Sequence, residues 1–447
     1  MDKLKGRGFF ALIVLLAAAG TWIGSYGALH SLKEESRSSS LWGWDTSFYY
    51  FWLRSVALDG DVDFENDIQL ADTIPDGQKR FAEVDLPRTD MGLIPNKYPV
   101  GWAVFHAPFF AVGHGTSLLL KKSGVEVRTD GYGKVYERFL YVGSLFYAAL
   151  GLWLTYLLLR RFFDWEISVL ALLCTWLSGF LIYYQLSQYA MAHSLAYLCL
   201  VSCFYWALAI REMPPLTRNW LMLGISVGML LITRYQAGVY LLFPFVVAVV
   251  EILARRTTVR ALAVCSFTIL GIVALQLLAW KQLYGSWLVY SYAGEGFRWA
   301  EPEVWRSLFD PFHGLIYWQP IFAVGLLGLV GFVGSRHEWS FWAIPLSVAC
   351  MIYVNAAWET WWFGAAFGGR AYEGASLFVC FGVGWLLNSS ERFGNLLQGT
   401  IKAILLLLVI WNIGVLSVCV RNWQTGISLE ESVSYGQFWT AIRQLWF

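Results

Sequence analysis

Acidic and aromatic residues crowd together in Trp42-Gly43-Trp44-Asp45-Thr46-Ser47-Phe48-Tyr49-Tyr50-Phe51-Trp52. Asp45 opens an aromatic amphipathic run suited to a membrane interface. A carboxylate there would sit beside a lipid headgroup and could act as general base on a lipid-carried substrate. The competing reading is an N-cap, since Asp is favoured in front of a helix starting at Thr46; on this residue alone the cap is the simpler explanation. Further on, Asp59, Asp61, Asp63, Glu65 and Asp67 alternate with other residues. The pattern imitates a calcium-binding EF-hand loop, but Phe64 stands where the sharp turn needs Gly and Leu70 where the bidentate Glu belongs. A looser divalent-metal site on Asp59, Asp61 and Asp63 is left, against a solvated acidic loop.

Cations follow in Asn96-Lys97-Tyr98-Pro99-Val100-Gly101-Trp102. Lys97 suits a phosphate as a point charge, and Pro99 suits a helix start. A Lys that merely snorkels to the interface is the alternative. His193, Arg234, Arg370 and Glu373 fall in or beside apolar runs, where ionisable groups are rare and default to functional candidates. Glu373, three residues after Arg370, could instead pair with it on one helical face. His193 reads as readily as a packing histidine. A polar segment near 282–314 adds Glu295, Arg298, Glu301, Asp310 and His313.

The elements that hold these residues must be membrane helices. Hydrophobic residues make up 57% of the 447, charged residues 14%, and mean hydropathy is +0.52. Soluble domains are about a quarter charged, and a single core stops growing near roughly 250–300 residues. A soluble enzyme and a disordered chain are thereby excluded. A net charge of +1 gives no basic field for nucleic acid. All seven cysteines lie in apolar runs, which argues against a disulfide framework or a zinc site.

Apolar runs of about 20 residues, each enough for one crossing, fall at about 9–29, 137–159, 166–185, 193–211, 219–233, 237–254, 261–281, 315–334, 339–357, 371–388 and 399–420. Between the first two, residues 30–134 hold 15 of the 31 acids and cannot lie in lipid. Their end, 100–120, is apolar but interrupted by His106, Pro108 and His114, which reads as an interfacial helix. Lys3, Lys5, Arg7, Arg160, Arg161, Arg211, Arg218, Arg255, Arg256, Arg260, Arg336, Arg392 and Lys402 fall on one side of this threading, the cytoplasmic one by the positive-inside rule. Arg234, alone between two apolar runs, marks a tight turn or an intramembrane charge. The expected fold is an all-α polytopic membrane protein of about eleven transmembrane helices, with a large first extracytoplasmic loop carrying interfacial helices.

The order of these pieces resembles the GT-C superfamily of polytopic glycosyltransferases, the group of protein O-mannosyltransferases and aminoarabinose transferases. Asp45-Thr46-Ser47-Phe48-Tyr49-Tyr50 resembles the acidic motif after their first span, and Asn96-Lys97-Tyr98-Pro99 their Lys-Pro-Pro or Tyr-Pro-x-Gly element. Ala192-His193-Ser194, Thr233-Arg234-Tyr235-Gln236, His313-Gly314-Leu315 with Pro320, and Phe367-Gly368-Gly369-Arg370 are similar to pieces of bacterial members. Thr46 stands where many relatives carry Glu, and Tyr98 where the first Pro often stands. The likeness spans roughly 5–390. It implies a catalytic domain over 1–390 that includes the 30–134 loop, with 391–447 as the last span and a short extracytoplasmic tail.

The resemblance further implies a polyprenyl-phosphate-linked sugar donor and a glycan, lipid or protein acceptor, in a bacterial inner membrane with the site facing outward. Asp45 would be the base of an inverting transfer, and Lys97, Arg234 and Arg370 would bind the donor phosphate. Tyr98, His193, Glu295, His313 and Glu373 are candidate substrate contacts. No cofactor is required, and a divalent metal on Asp59, Asp61 and Asp63 is an option. A rival function is a transporter or flippase of a polar lipid or solute, which needs polar residues at mid-depth. Another is a scaffold without catalysis, for which Asp45→Asn would be silent.

Overall fold

The computed structural model of the chain describes residues 41, 43–72, 86–213, 216–392 and 394–446. The expected first span, about 9–29, lies outside the described residues. Among the described residues the architecture is helical, and extended pairing is limited to one bridge between Phe297 and Trp358. Residues 43–122 supply α1 (Trp44–Arg54), α2 (Glu65–Asp72) and α3 (Gly101–Lys122). The bundle follows as α4 (Lys134–Leu159), α5 (Trp165–Ser178), α6 (His193–Glu212), α7 (Thr217–Thr233), α8 (Leu242–Leu253) and α9 (Val259–Tyr284). It continues with α10 (Ile321–Gly334), α11 (Ala343–Ala357), α12 (Ala375–Ser390) and α13 (Asn395–Val420), and α14 (Tyr435–Trp446) packs back on α13.

Seven helices among the described residues are long and apolar enough to cross a membrane: α3, α4, α6, Tyr235–Leu253 (which ends in α8), α9, Trp339–Ala357 (which ends in α11), and α13. α5, α10 and α12 are shorter apolar helices. Three expected spans are interrupted. The 166–185 run breaks at Gly179, whose extended backbone separates α5 from the short helix Leu181–Leu186. The 315–334 run breaks before Pro320, which lacks the N–H a continuous helix would use. The 371–388 run starts with a tight turn, Arg370–Tyr372, and is regular only from Ala375.

Bundle helices alternate in direction, so their ends gather in two layers. One layer is tied by ion pairs of Arg161 with Glu212 (2.9 Å) and Arg211 with Glu338, and Arg256 meets Glu251 at the end of α8 (3.3 Å). The opposite layer holds the N-terminus of α6, the C-termini of α7 and α9, and the 285–320 and 358–374 segments. Glycines set the closest crossing. A Cβ on Gly382 of α12 would lie 1.7 Å from the Gly325 carbonyl oxygen of α10, so only glycine lets these backbones meet.

α3 does not run down the side of the bundle. Phe109 packs on Gly143, Gly113 on Phe139, and His106 bonds Ser144 at 2.9 Å, all within the N-terminal half of α4. Gly101 lies against the last residues of α7, Ile232 and Thr233. The C-terminal half of α4 is instead covered by α6, through Tyr197 against Gly151 and Thr155. α3 therefore extends beyond the layer that holds Arg234, together with a second, aromatic core made from Tyr50, Phe51, Phe64, Trp102, Tyr132 and Tyr136.

Candidate active site

α1 starts at Trp44, two residues earlier than a cap at Asp45 would require. Gly43 is the N-cap; its N–H donates to Thr46 Oγ1 (3.0 Å), and that hydroxyl donates back to the Gly43 carbonyl (3.1 Å). The capping reading of Asp45 is thus corrected, and its carboxylate is left to face outward from the first helical turn. The expected amphipathic character of this helix is corrected as well: Thr46–Arg54 are all buried, because the 96–102 segment and the 130–136 segment enclose them. Asn96 Nδ2 donates to the Phe48 carbonyl (2.8 Å) and Trp52 Nε1 to the Tyr98 carbonyl (2.9 Å). Those two bonds carry Lys97 and Tyr98 to the side of Asp45.

Tyr98 donates its hydroxyl to Asp45 Oδ1 at 2.6 Å. Burial and the neighbouring carboxylate push the Tyr98 pKa well up, so it stays a donor. The other carboxylate oxygen of Asp45 meets Arg370 Nη2 at 3.2 Å, across 325 residues of sequence. Gly368 aims that arginine. It has φ +65, and a Cβ there would fall 2.0 Å from Gln319 Oε1.

Glu373 does not pair with Arg370, as their spacing allowed. It is 1% exposed and lies 2.7 Å from Arg234 Nε and 3.4 Å from His193 Nδ1. Arg234 is a turn residue between α7 and the Tyr235–Leu241 helix, with extended backbone that swings its side chain toward α12. Lys97 bonds Glu295. Each expected phosphate-binding cation therefore has a carboxylate partner on another element.

Asp45, Lys97, Tyr98, Arg234, Glu295 and Arg370 line one cleft of about 640 Å³. It opens in the layer opposite the arginine-rich loops. His193 and Glu373 lie behind its wall, fully buried. His313 does not line the cleft; it is 2% exposed and has φ +70. Burial and the nearby Arg370 guanidinium lower its pKa to about 3, so it is a neutral imidazole.

The candidate metal ligands do not converge. Asp59 bonds Arg54 and Asn66, Asp61 accepts from Ser55 Oγ (2.8 Å) and the Asp63 N–H (3.1 Å), and Asp63 accepts from the Glu65 N–H (3.1 Å). These are local turn bonds. Among the described residues no group of three His, Cys, Asp or Glu side chains could hold a metal ion.

Aromatic walls are what the residue-by-residue reading missed. Tyr49, Trp280, Tyr292, Trp358 and Trp362 complete the cleft. Tyr49 carried a usable signal, being four residues after Asp45 on the same helical face. Trp280 sits on α9, while Tyr292, Trp358 and Trp362 sit outside the helices, where no spacing rule foretells their approach. Phe363, also in the wall, holds φ +57, a strained conformation of the kind that gathers at functional sites. No known protein-family model matches the chain, and no curated protein matches it in sequence.

Proposed function

We propose that the protein is a membrane glycosyltransferase that moves a sugar from a polyprenyl-phosphate donor to an acceptor hydroxyl at the outer face of the membrane. One observation carries this: Asp45, Lys97, Arg234 and Arg370, dispersed over more than 300 residues, meet in a single open cleft. The cleft lies at the end of the bundle away from the loops rich in arginine, which the positive-inside rule assigns to the cytoplasm.

In the proposed reaction the acceptor oxygen attacks the anomeric carbon as the bond from that carbon to the phosphate oxygen breaks. The phosphate leaves with the bonding electrons, and the acceptor proton passes to Asp45. Attack from the face opposite the leaving group gives inversion, as in inverting glycosidases. Tyr98 and Arg370 fix the two oxygens of Asp45 and so orient it. Fixed cations aimed at the departing phosphate supply electrostatic stabilisation, usually the largest catalytic contribution. Lys97, Arg234 and Arg370 are those cations, and they can serve without a metal. The aromatic walls offer flat apolar faces to a sugar ring and to the first part of a prenyl chain.

Eleven spans complete the proposal: the 9–29 run, α4, the 165–186 unit, α6, α7, the 235–253 unit, α9, the 315–334 unit, the 339–357 unit, α12 and α13. α3 is not counted, because it packs on the outward half of α4 rather than along the bundle. Mass spectrometry of cell-envelope glycans and glycoproteins tests the function. A deletion strain should lack one sugar substituent, which wild-type protein restores and Asp45→Asn does not. Restoration by Asp45→Asn would favour a transporter or a scaffold.

A further inference from the structure

We infer that Glu295 is an internal counter-anion that occupies Lys97 until a lipid phosphate displaces it, and that it thereby sets how tightly the cleft holds that phosphate. The inference rests on the glycosyltransferase proposal and deepens it, replacing the expectation that Glu295 contacts substrate.

The three cations of the cleft differ in how easily their carboxylates yield. Arg234 and Glu373 are 10% and 2% exposed in their side chains, so driving them apart would strand a buried charge. The partner of Arg370 is Asp45, the base itself. The Lys97 and Glu295 side chains are 32% and 28% exposed. Water reaches both ends, and an ion pair so placed separates at small cost. Lys97 is therefore the cation an incoming anion can claim.

The backbone around Glu295 does not depend on the bond to Lys97. Glu295 stands between Gly294, with φ +84, and Gly296. The strap that carries it is tied down by other bonds. Ser291 Oγ donates to the Lys97 carbonyl (2.9 Å), the Glu359 N–H to the Gly296 carbonyl (3.0 Å), and the Arg298 N–H to the Ala357 carbonyl (2.6 Å). The strap keeps its place when the carboxylate lets go of Lys97. After transfer the lipid is left as a phosphate monoester, of higher charge than the diester donor and held harder by Lys97. A carboxylate competing for the same ammonium opposes that hold and favours release.

Binding of undecaprenyl monophosphate to the purified full-length protein in lipid nanodiscs tests this. Glu295→Gln should bind about two- to five-fold tighter than wild type, the range set by loss of one exposed ion pair. Glu295→Asp, which keeps the charge, should bind like wild type. In a Lys97→Ala background Glu295→Gln should have no effect. Equal or weaker binding by Glu295→Gln, with wild type binding the lipid, overturns the role of Glu295 and leaves the proposed function standing. A wild-type protein that does not bind the lipid phosphate overturns both.

Discussion

At the scale of single residues, the sequence marked most of the charged cleft but not its pairing. Asp45, Lys97, Arg234 and Arg370 were legible because ionisable groups among apolar runs are few and conspicuous. Their partners were not, since Asp45 finds Arg370, Lys97 finds Glu295, and Arg234 finds Glu373 across contacts that no local spacing records. Asp45→Asn should fold and bind donor but lose turnover by about 10²–10⁴-fold, the usual share of a general base; a single-turnover assay with enzyme in excess over labelled donor reads this out. Away from the cleft, Asp67 is fully buried, accepts from the Tyr132 hydroxyl at 2.8 Å and lies 3.4 Å from Arg54. Burial outweighs these partners and raises its pKa to about 7. The folded state thus prefers the protonated acid. Its contribution to stability is full below about pH 4, the unfolded value, and is lost as pH rises to about 7. Thermal unfolding across that window should show the decline, and Asp67→Asn should flatten it. An unchanged slope in Asp67→Asn would assign the pH dependence to other groups.

At the scale of elements, long uninterrupted helices were predicted closely and broken ones were not. The 193–211 and 261–281 runs match α6 and α9 to within a few residues, because twenty apolar residues without Pro or an extended Gly leave the backbone no alternative to a helix. Gly179 and Pro320 interrupt their runs near the layer that carries the cleft, where loops and tight turns can place backbone around a ligand. α1 was read as interfacial from its aromatic pattern, yet it is buried all round, since hydrophobicity alone does not separate a lipid neighbour from a protein one. The α10–α12 crossing gives the sharpest element-scale test. Gly382→Ala introduces a methyl where the Gly325 carbonyl already stands, and should cost about 1–3 kcal/mol as an overpacked contact does. A thermal midpoint in detergent equal to wild type would mean that the two helices are free to separate.

At the scale of the whole molecule, the claim is a bundle with two chemically distinct ends. In the proposed threading of eleven spans, with the N-terminus in the cytoplasm, the cleft and α14 would lie outside and the arginine-rich loops inside. In a variant without the seven native cysteines, a cysteine at Gly124, between α3 and α4, should be modified from outside by a membrane-impermeant thiol reagent, and one at Arg256, between α8 and α9, only from the cytoplasmic side. If α3 crossed the bilayer, the side assigned to every later loop would reverse, so this labelling decides between an interfacial and a spanning α3.

Transfer itself measures the proposed activity most directly. Purified protein in sealed proteoliposomes would be given a panel of polyprenyl-phosphate hexoses and pentoses carrying radiolabel in the sugar, together with a cell-envelope extract as acceptor source. The expected result is label moving from the lipid fraction to acceptor with wild-type protein, inverted at the anomeric carbon, slowed at least a hundred-fold by Asp45→Asn and reduced by Lys97→Ala and Arg370→Ala. Label that stays on the lipid with every donor while intact donor appears in the opposite leaflet would contradict the claim and identify a flippase.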